Sequence, residues 1–311
     1  MNHPIPTFRP SLAALACALM AVAGTTRAET LYALTNTNQL ITLDSAAPTE
    51  GSAVSVTGLK SVNERLLGLD ARPSTGLLYS LSSLGNLYTV DASNGAASFV
   101  ARLNVALQGS NFGFDFNPVP DLGQTAASLR VIGNTGTSLA VNVNPVSAGQ
   151  VTVSPGLNEG GVATTASVVS VAYANNDRDA ATGTTLYGID ARGDRLYTIV
   201  PGTGAMTLKG ALGVDTIGVS GFDISYTGQA FAALTDDTGF SGLYTVDLVT
   251  GAATSIGAFG IGGMVLQAPV VGLTAAPVPE PSSLLMAAAG LLGLGWLRAR
   301  ARQPQAALVK A

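Results

Sequence analysis

The sequence predicts an all-β protein: a β-propeller of five four-stranded blades, closed by pairing its terminal strands, with a single transmembrane helix appended at the C-terminus. Three observations carry this. A strand–turn–strand unit returns along the chain, as Leu87-Tyr88-Thr89-Val90-Asp91, Leu196-Tyr197-Thr198-Ile199-Val200 and Leu243-Tyr244-Thr245-Val246-Asp247, with Leu40-Ile41-Thr42-Leu43-Asp44 as an earlier, weaker copy. Each unit belongs to a longer repeat of roughly 40–50 residues, the length of a propeller blade. The first copy begins in its second strand, at Leu31-Tyr32, and the strand it lacks stands at the far end as Pro269-Val270-Val271-Gly272-Leu273. Pairing the two ends would complete that blade and remove an exposed sheet edge. An open sandwich is the alternative, and it leaves the split blade unexplained.

Each repeat opens with Gly-x-Asp: Gly68-Leu69-Asp70, Gly113-Phe114-Asp115 and Gly221-Phe222-Asp223. A turn, a second strand, the Leu-Tyr-Thr-Val-Asp strand and a Gly-Ala-Ala-Thr strand follow. Tyr32, Tyr79, Val131, Tyr187 and Phe231 are aligned at one position of the second strand, separated by 47, 52, 56 and 44 residues. Thr-Gly and Asn-Gly turns divide the strands, where glycine reaches positive φ without steric cost. No segment between the two ends keeps a helical period. Residues 29–276 are therefore read as one domain, without a linker.

The two ends are read separately. Residues 1–28 form a secretory signal: Arg9 precedes a small-apolar run over 12–23, and Thr26-Arg27-Ala28 offers small residues to signal peptidase, with cleavage expected after Ala28. Cys17 lies mid-run and Ala14-Leu15-Ala16 is a poor lipobox, so lipidation is not expected. At the other end Ala276-Pro277-Val278-Pro279-Glu280-Pro281 is a stiff spacer. The 16 residues 282–297 carry no charge, and Arg298, Arg300 and Arg302 follow. That run is just short of the usual membrane span of about 17–25 residues, and the arginines mark its cytoplasmic side.

This end, residues 277–303, resembles the PEP-CTERM sorting signal of Gram-negative bacteria, with Pro279, Glu280 and Pro281, then the short apolar helix, then the arginine cluster. The resemblance implies recognition by an exosortase, transient retention at the inner membrane, cleavage near the Pro-Glu-Pro, and release to the cell surface or its polysaccharide matrix. The central region resembles a family of secreted bacterial proteins defined only as a domain of unknown function. The match runs through Gly113-Phe114-Asp115-Phe116-Asn117-Pro118, Asp121, Leu129-Arg130-Val131, Asn134-Thr135-Gly136 and Ala172-Tyr173-Ala174-Asn175-Asn176. It continues in Thr184-Thr185-Leu186-Tyr187-Gly188-Ile189-Asp190 and Gly221-Phe222-Asp223-Ile224. Residues 123–128 look inserted against that family, and Ala140 stands where it often has arginine. No activity comes with the resemblance.

Composition excludes several kinds of chemistry. The one histidine and the one cysteine, His3 and Cys17, both lie in the signal segment. Residues 29–276 thus hold no Ser-His-Asp triad, no Cys-His pair and no zinc site of the usual ligands. They carry 18 acidic and 9 basic groups, a net of −9, which repels nucleic acid. Lys60 and Lys209 are the only lysines there, and Lys209 sits in a polar context that does not suit a Ser-Lys dyad.

Carboxylates remain. Asp70, Asp115 and Asp223 share one blade position and could gather at the central channel, to hold calcium or to serve a glycosidase. The plainer expectation is that each caps the turn after its own strand, with Tyr173 and Thr274 replacing them in the other two blades. Asn175-Asn176-Asp177-Arg178-Asp179 is an oxygen-rich loop that could also take calcium through Asp177 and Asp179, with a solvated loop as the plainer reading. Asp236-Asp237 is read the same way. The repeated tyrosines point to packing between blades rather than to a sugar platform. The leading expectation is a non-enzymatic binding or structural protein of the surface or matrix, with calcium as its only candidate cofactor and matrix polysaccharide as a partner. The alternative is a carbohydrate-active hydrolase or lyase using channel carboxylates.

Overall fold

The computed structural model describes residues 28–123, 126–176 and 179–277. Five sheets, each built on four antiparallel strands, surround one axis. Their innermost strands are Val270–Ala275, Leu66–Ala71, Phe112–Phe116, Val168–Tyr173 and Ser220–Ile224, for the first to fifth blades. The first blade is split as expected. Val270–Ala275 pairs antiparallel with Thr30–Thr35, in the register Leu31 to Ala275 and Ala33 to Leu273, so the chain's last strand closes the ring. The third strands are Gln39–Asp44, Asn86–Val90, Ser138–Val141, Arg195–Val200 and Ser241–Val246, and four of them carry the sequence unit from which the repeat was read.

Burial falls from the axis outward. Phe112–Phe116, Val168–Tyr173 and Ser220–Ile224 are buried at every residue, whereas the outer strand Ala97–Arg102 has none buried. An inner strand is covered on both faces, so its sequence does not alternate between apolar and polar. Five apolar clusters fill the five gaps between neighbouring blades. Tyr79 belongs to the cluster of blades two and three, Tyr88 to that of one and two, and Tyr197 to that of three and four. Tyr187 and Tyr244 pack on the cluster of four and five.

Three features differ from expectation. The first and fourth blades are six-stranded, because short hairpins, Gly260–Ile261 with Met264–Val265 and Asn158–Glu159 with Val162–Ala163, add to their outer strands. Each hairpin comes from the connection leaving the preceding blade and covers an outer edge. Secondly, the inner-to-second turns of the third and fourth blades hold helical segments, Pro118–Gly123 and Ala180–Thr182. The first places the buried Asp121 beside Arg72 of the second blade, at 2.6 Å. Thirdly, the second-strand alignment is off by one in the third blade. Tyr32, Tyr79, Tyr187 and Phe231 lie opposite Thr274, Asp70, Ala172 and Asp223, which occupy one inner-strand position. Opposite Asp115, however, stands Arg130, not Val131. The longer connection between the inner and second strands of that blade removes the constraint a tight turn would put on register, and a slip of one residue exchanges the two faces of a strand.

Among the described residues no helix is long and apolar enough to cross a membrane. The expected membrane helix at 282–297, the signal segment before Ala28, and the sorting residues Pro279, Glu280, Pro281, Arg298, Arg300 and Arg302 lie outside the described residues.

Candidate functional site

Asp70, Asp115 and Asp223 converge on the axis. All three are buried, and one carboxylate oxygen from each lies within 4.8 Å of the others. The Gly-x-Asp repeat explains how they get there. With period two, the glycine and the aspartate of an inner strand face the same way. A Cβ on Gly113 would lie 2.7 Å from the backbone nitrogen of Val171, and one on Gly221 would lie 2.6 Å from that of Leu273. Glycine therefore lets the next blade's inner strand approach the axis.

Two residues on, each aspartate meets the neighbouring backbone. Asp70 Oδ2 accepts the N–H of Phe116 at 2.7 Å, Asp115 Oδ2 accepts that of Tyr173, and Asp223 Oδ2 accepts that of Ala275 at 2.6 Å. In the first blade Gly272 and Thr274 take these two places. A Cβ on Gly272 would lie 2.7 Å from the nitrogen of Leu69, and the Thr274 hydroxyl accepts the N–H of Ala71 at 3.2 Å. Four of the five blade interfaces are latched in this way.

The fourth-to-fifth interface departs from the pattern because Ser170 and Ala172 stand at the two positions. Tyr173, expected to replace the aspartate, is one residue further on and gives its N–H to Asp115 as Phe116 gives its own to Asp70. At the fourth-to-fifth interface the N–H of Ile224 is accepted by Asp223 Oδ1, and Asn176 Nδ2 donates to the Ile224 carbonyl at 2.9 Å. The expectation that each aspartate caps its own turn is thus only partly met. Asp70 and Asp223 accept the next amide along the chain with one oxygen, at 2.7 Å each, but their second oxygen crosses to another blade. Asp115 accepts no amide of its own turn.

Crowding three acids in a dry site shifts their titration. Burial pushes Asp70 up to about 7, with the charge of Asp223 adding to it and the hydrogen bonds from Phe116 and Thr274 opposing it. Burial raises Asp223 to about 6 against the amides of Ala275 and Ile224. Asp115 is raised well above the ordinary carboxylate range, by burial and then by the charges of Asp70 and Asp223. The Thr274 hydroxyl sits between Asp70 and Asp223, at 2.9 and 3.1 Å. The axial channel bounded by Gly113, Gly221 and Gly272 holds ≈ 10 Å³, at the limit for a single water.

A family model for a domain of unknown function, DUF4394, matches residues 39–273, most of the propeller. The chain belongs to the DUF4394 family. Its Gly-x-Asp latches lie inside the matched region, except for the last two residues of the closing strand. A second model, the PEP-CTERM protein-sorting motif, matches residues 277–300. This motif marks the DUF4394 chain for export and surface sorting in Gram-negative bacteria, and for processing by an exosortase.

No curated protein matches the sequence. Among solved structures, a protein of unknown function from Bacteroides thetaiotaomicron is 13% identical, with 75% of this chain and 62% of that one covered at TM-score 0.47. A nidogen/laminin complex is 14% identical, covering 80% of this chain and 98% of that one at TM-score 0.44. Kuenenia stuttgartiensis hydrazine synthase is 14% identical, covering 64% of this chain at TM-score 0.39, and this chain spans only 50% of its length.

The other candidates are dispersed. Asp179 accepts the N–H of Ala181 at 2.9 Å and caps the 3-10 turn Ala180–Thr182, while Asp177 lies outside the described residues. Asp236 closes its own loop by accepting from Thr238 and Phe240. Ala28 is exposed at the first described position. Sequence reasoning did not single out the buried acids Asp121, Asp190 and Glu64; of these, Glu64 accepts from Ser82 Oγ, from Asn86 Nδ2 at 2.8 Å and from Tyr88 Oη at 3.0 Å. Burial disfavours its charge, but these three donors together hold it below the ordinary value. Nothing in the sequence around Glu64 repeats, so periodicity gave no sign of it.

Proposed function

We propose that the mature domain, residues 29–276, is a non-catalytic binding or structural module of the cell surface or extracellular matrix. A PEP-CTERM tail would hold it briefly at the inner membrane and an exosortase would then release it. The observation that supports this reading is the state of the axial carboxylates. They are the only acids brought together in the described residues as a cluster, and they are buried against backbone donors of neighbouring blades rather than open to a substrate. A glycosidase needs two carboxyls on either side of a bound sugar, about 5–9.5 Å apart. These lie closer together, in a channel with no room for one.

The same donors bear on calcium. That ion takes about six to eight oxygens, and here the three aspartates already accept the N–H groups of Phe116, Tyr173 and Ala275 and the Thr274 hydroxyl. In our reading shared protons, not calcium, neutralise the ring, and the three aspartates are clasps between blades. Calcium would then act only at the surface, as a bridge from this acidic domain to an acidic polysaccharide.

The test is retention of the exported protein on purified matrix, with and without chelator, beside an assay for new reducing ends. Retention without reducing-end release supports the reading. Reducing ends that disappear in Asp115→Asn or Asp223→Asn would make the protein a hydrolase. Absence of retention under every condition would leave a structural role alone.

A further inference from the structure

One cavity lies away from the axis. It lies at the seam between the fifth and first blades, holds ≈ 490 Å³ and opens to solvent. Binding sites for small ligands usually measure about 300–1,000 Å³, with apolar walls and a few placed polar groups. Phe231 and Ile256 of the fifth blade supply apolar wall, and Glu29, Ser45, Gln229 and Thr245 supply the polar groups.

These polar groups are held in place but not saturated. Glu29 Oε1 accepts from Thr227 Oγ1 at 2.6 Å and from Ser225 Oγ at 3.1 Å, which fixes the carboxylate across the seam. Its Oε2 has no partner among the described residues. Ser45 Oγ accepts the N–H of Glu29 at 2.9 Å and keeps its own hydrogen to donate. Gln229 Nε2 makes one long bond, 3.2 Å, to the Ala230 carbonyl, and its Oε1 makes none among the described residues. The Thr245 hydroxyl likewise has no partner there.

We propose that this cavity binds a neutral hexose unit of a matrix polysaccharide. A pyranose ring offers C–H faces to Phe231 and Ile256, and its hydroxyls match the unsaturated atoms of Glu29, Gln229, Thr245 and Ser45. The Glu29 carboxylate is the only charged side chain among the described lining residues. In the exported protein the α-ammonium that cleavage after Ala28 frees on the same residue balances it, and the domain's net of −9 then disfavours a uronate unit. With one carboxylate and no second acid opposite it, the cavity holds a sugar without cleaving it. This proposal rests on the reading of the domain as a matrix-binding module, and it names the site.

The test is calorimetric titration of the exported protein with cellobiose, maltose and N-acetylglucosamine, and with galacturonate as the anionic comparison. Retention on matrix is measured in parallel. Thr245→Met removes the Thr245 hydroxyl and narrows the cavity, and Glu29→Gln keeps the shape while weakening acceptance from sugar hydroxyls; melting temperatures confirm that each variant is folded. The expected result is saturable binding of at least one neutral saccharide, no binding of galacturonate, and a tenfold or greater loss of affinity in both variants. Should one variant fail to fold, the other decides. Absence of saccharide binding by the wild-type protein overturns the proposal, as do variants that bind like wild type. If wild type is retained on matrix but Thr245→Met is retained equally, the cavity assignment fails and the matrix reading stands. If wild type is not retained at all, the matrix reading fails by itself.

Discussion

The Asp223 carboxylate accepts the backbone N–H of Ala275 at 2.6 Å, and so ties the fifth blade to the strand that ends the propeller. The bond crosses the seam at which the two ends of the domain meet. It acts together with the pairing of Val270–Ala275 to Thr30–Thr35. Ending the chain after Gly263 removes both and leaves Thr30–Thr35 and the fifth blade's inner strand uncovered. The expected outcome is aggregation, or a fall in melting temperature of roughly ten degrees or more at the ~2–4 °C per kcal/mol typical of domains of about 150–250 residues. A truncated protein that melts with the full chain would show that this strand does not close the ring.

Stability should fall as pH rises from about 4 to 8. Asp70, Asp115 and Asp223 hold protons more tightly folded than unfolded, so their contribution is fully present below the unfolded carboxylate value of 3.8. It is lost as pH rises through about 6 and about 7, the folded values of Asp223 and Asp70. Glu64, Asp91, Asp236 and Asp247 are held below their ordinary values, so their contribution is lost only on the acid side of that window. The two effects separate in a plot of melting temperature against pH. Asp115→Asn keeps an oxygen for the Tyr173 amide and a donor for its neighbour, as protonated Asp115 does. It should flatten the decline and raise the melting temperature at pH 8. A flat wild-type profile from pH 4 to 8 would contradict shared protonation.

The inner-strand glycines should be intolerant of even one methyl group. A Cβ on Gly221 meets backbone 2.6 Å away at Leu273, where nothing flexible can yield, whereas Gly202 has nothing within 4 Å. Gly221→Ala should cost about 1–3 kcal/mol, the usual range for overpacking. Gly202→Ala should change stability by less than about 0.5 kcal/mol. Equal denaturation midpoints for the two variants would mean that the inner strands do not touch as described.

The blade repeat, the split first blade and the inner position of the three aspartates were legible because each repeats with the fold. The purpose of the aspartates was not. Their hydrogen bonds run to residues 46, 58 and 52 positions away, on strands whose proximity depends on ring closure. The glycine two residues earlier was the available clue, since Gly-x-Asp pairs a close approach with an acceptor, and Gly272-Leu273-Thr274 repeats it with a hydroxyl. The register of Arg130 was lost to the insertion in the turn before it. The Glu29 cavity was hidden for another reason: its walls come from residues 29–46 and 227–256, and nothing in either stretch marks them as neighbours.

Processing of the tail should leave the propeller intact. The closing strand ends at Ala275, the Ala276 N–H donates to the Thr30 carbonyl at 2.8 Å, and Pro277 lies beside Gly76 of the second blade. Among the described residues these contacts all precede Pro279, the first residue of the Pro-Glu-Pro in the matched sorting motif. Cleavage at or after that point removes the apolar run and the arginines without touching the latch between Asp223 and Ala275. The exported protein should carry a C-terminus before Leu284 by mass spectrometry, and should melt within a degree or two of a version in which Glu280→Ala blocks processing. An intact peptide containing Trp296 in the released fraction would overturn cleavage there. A large difference in melting temperature between the two forms would mean that residues beyond Pro277 help to hold the ring.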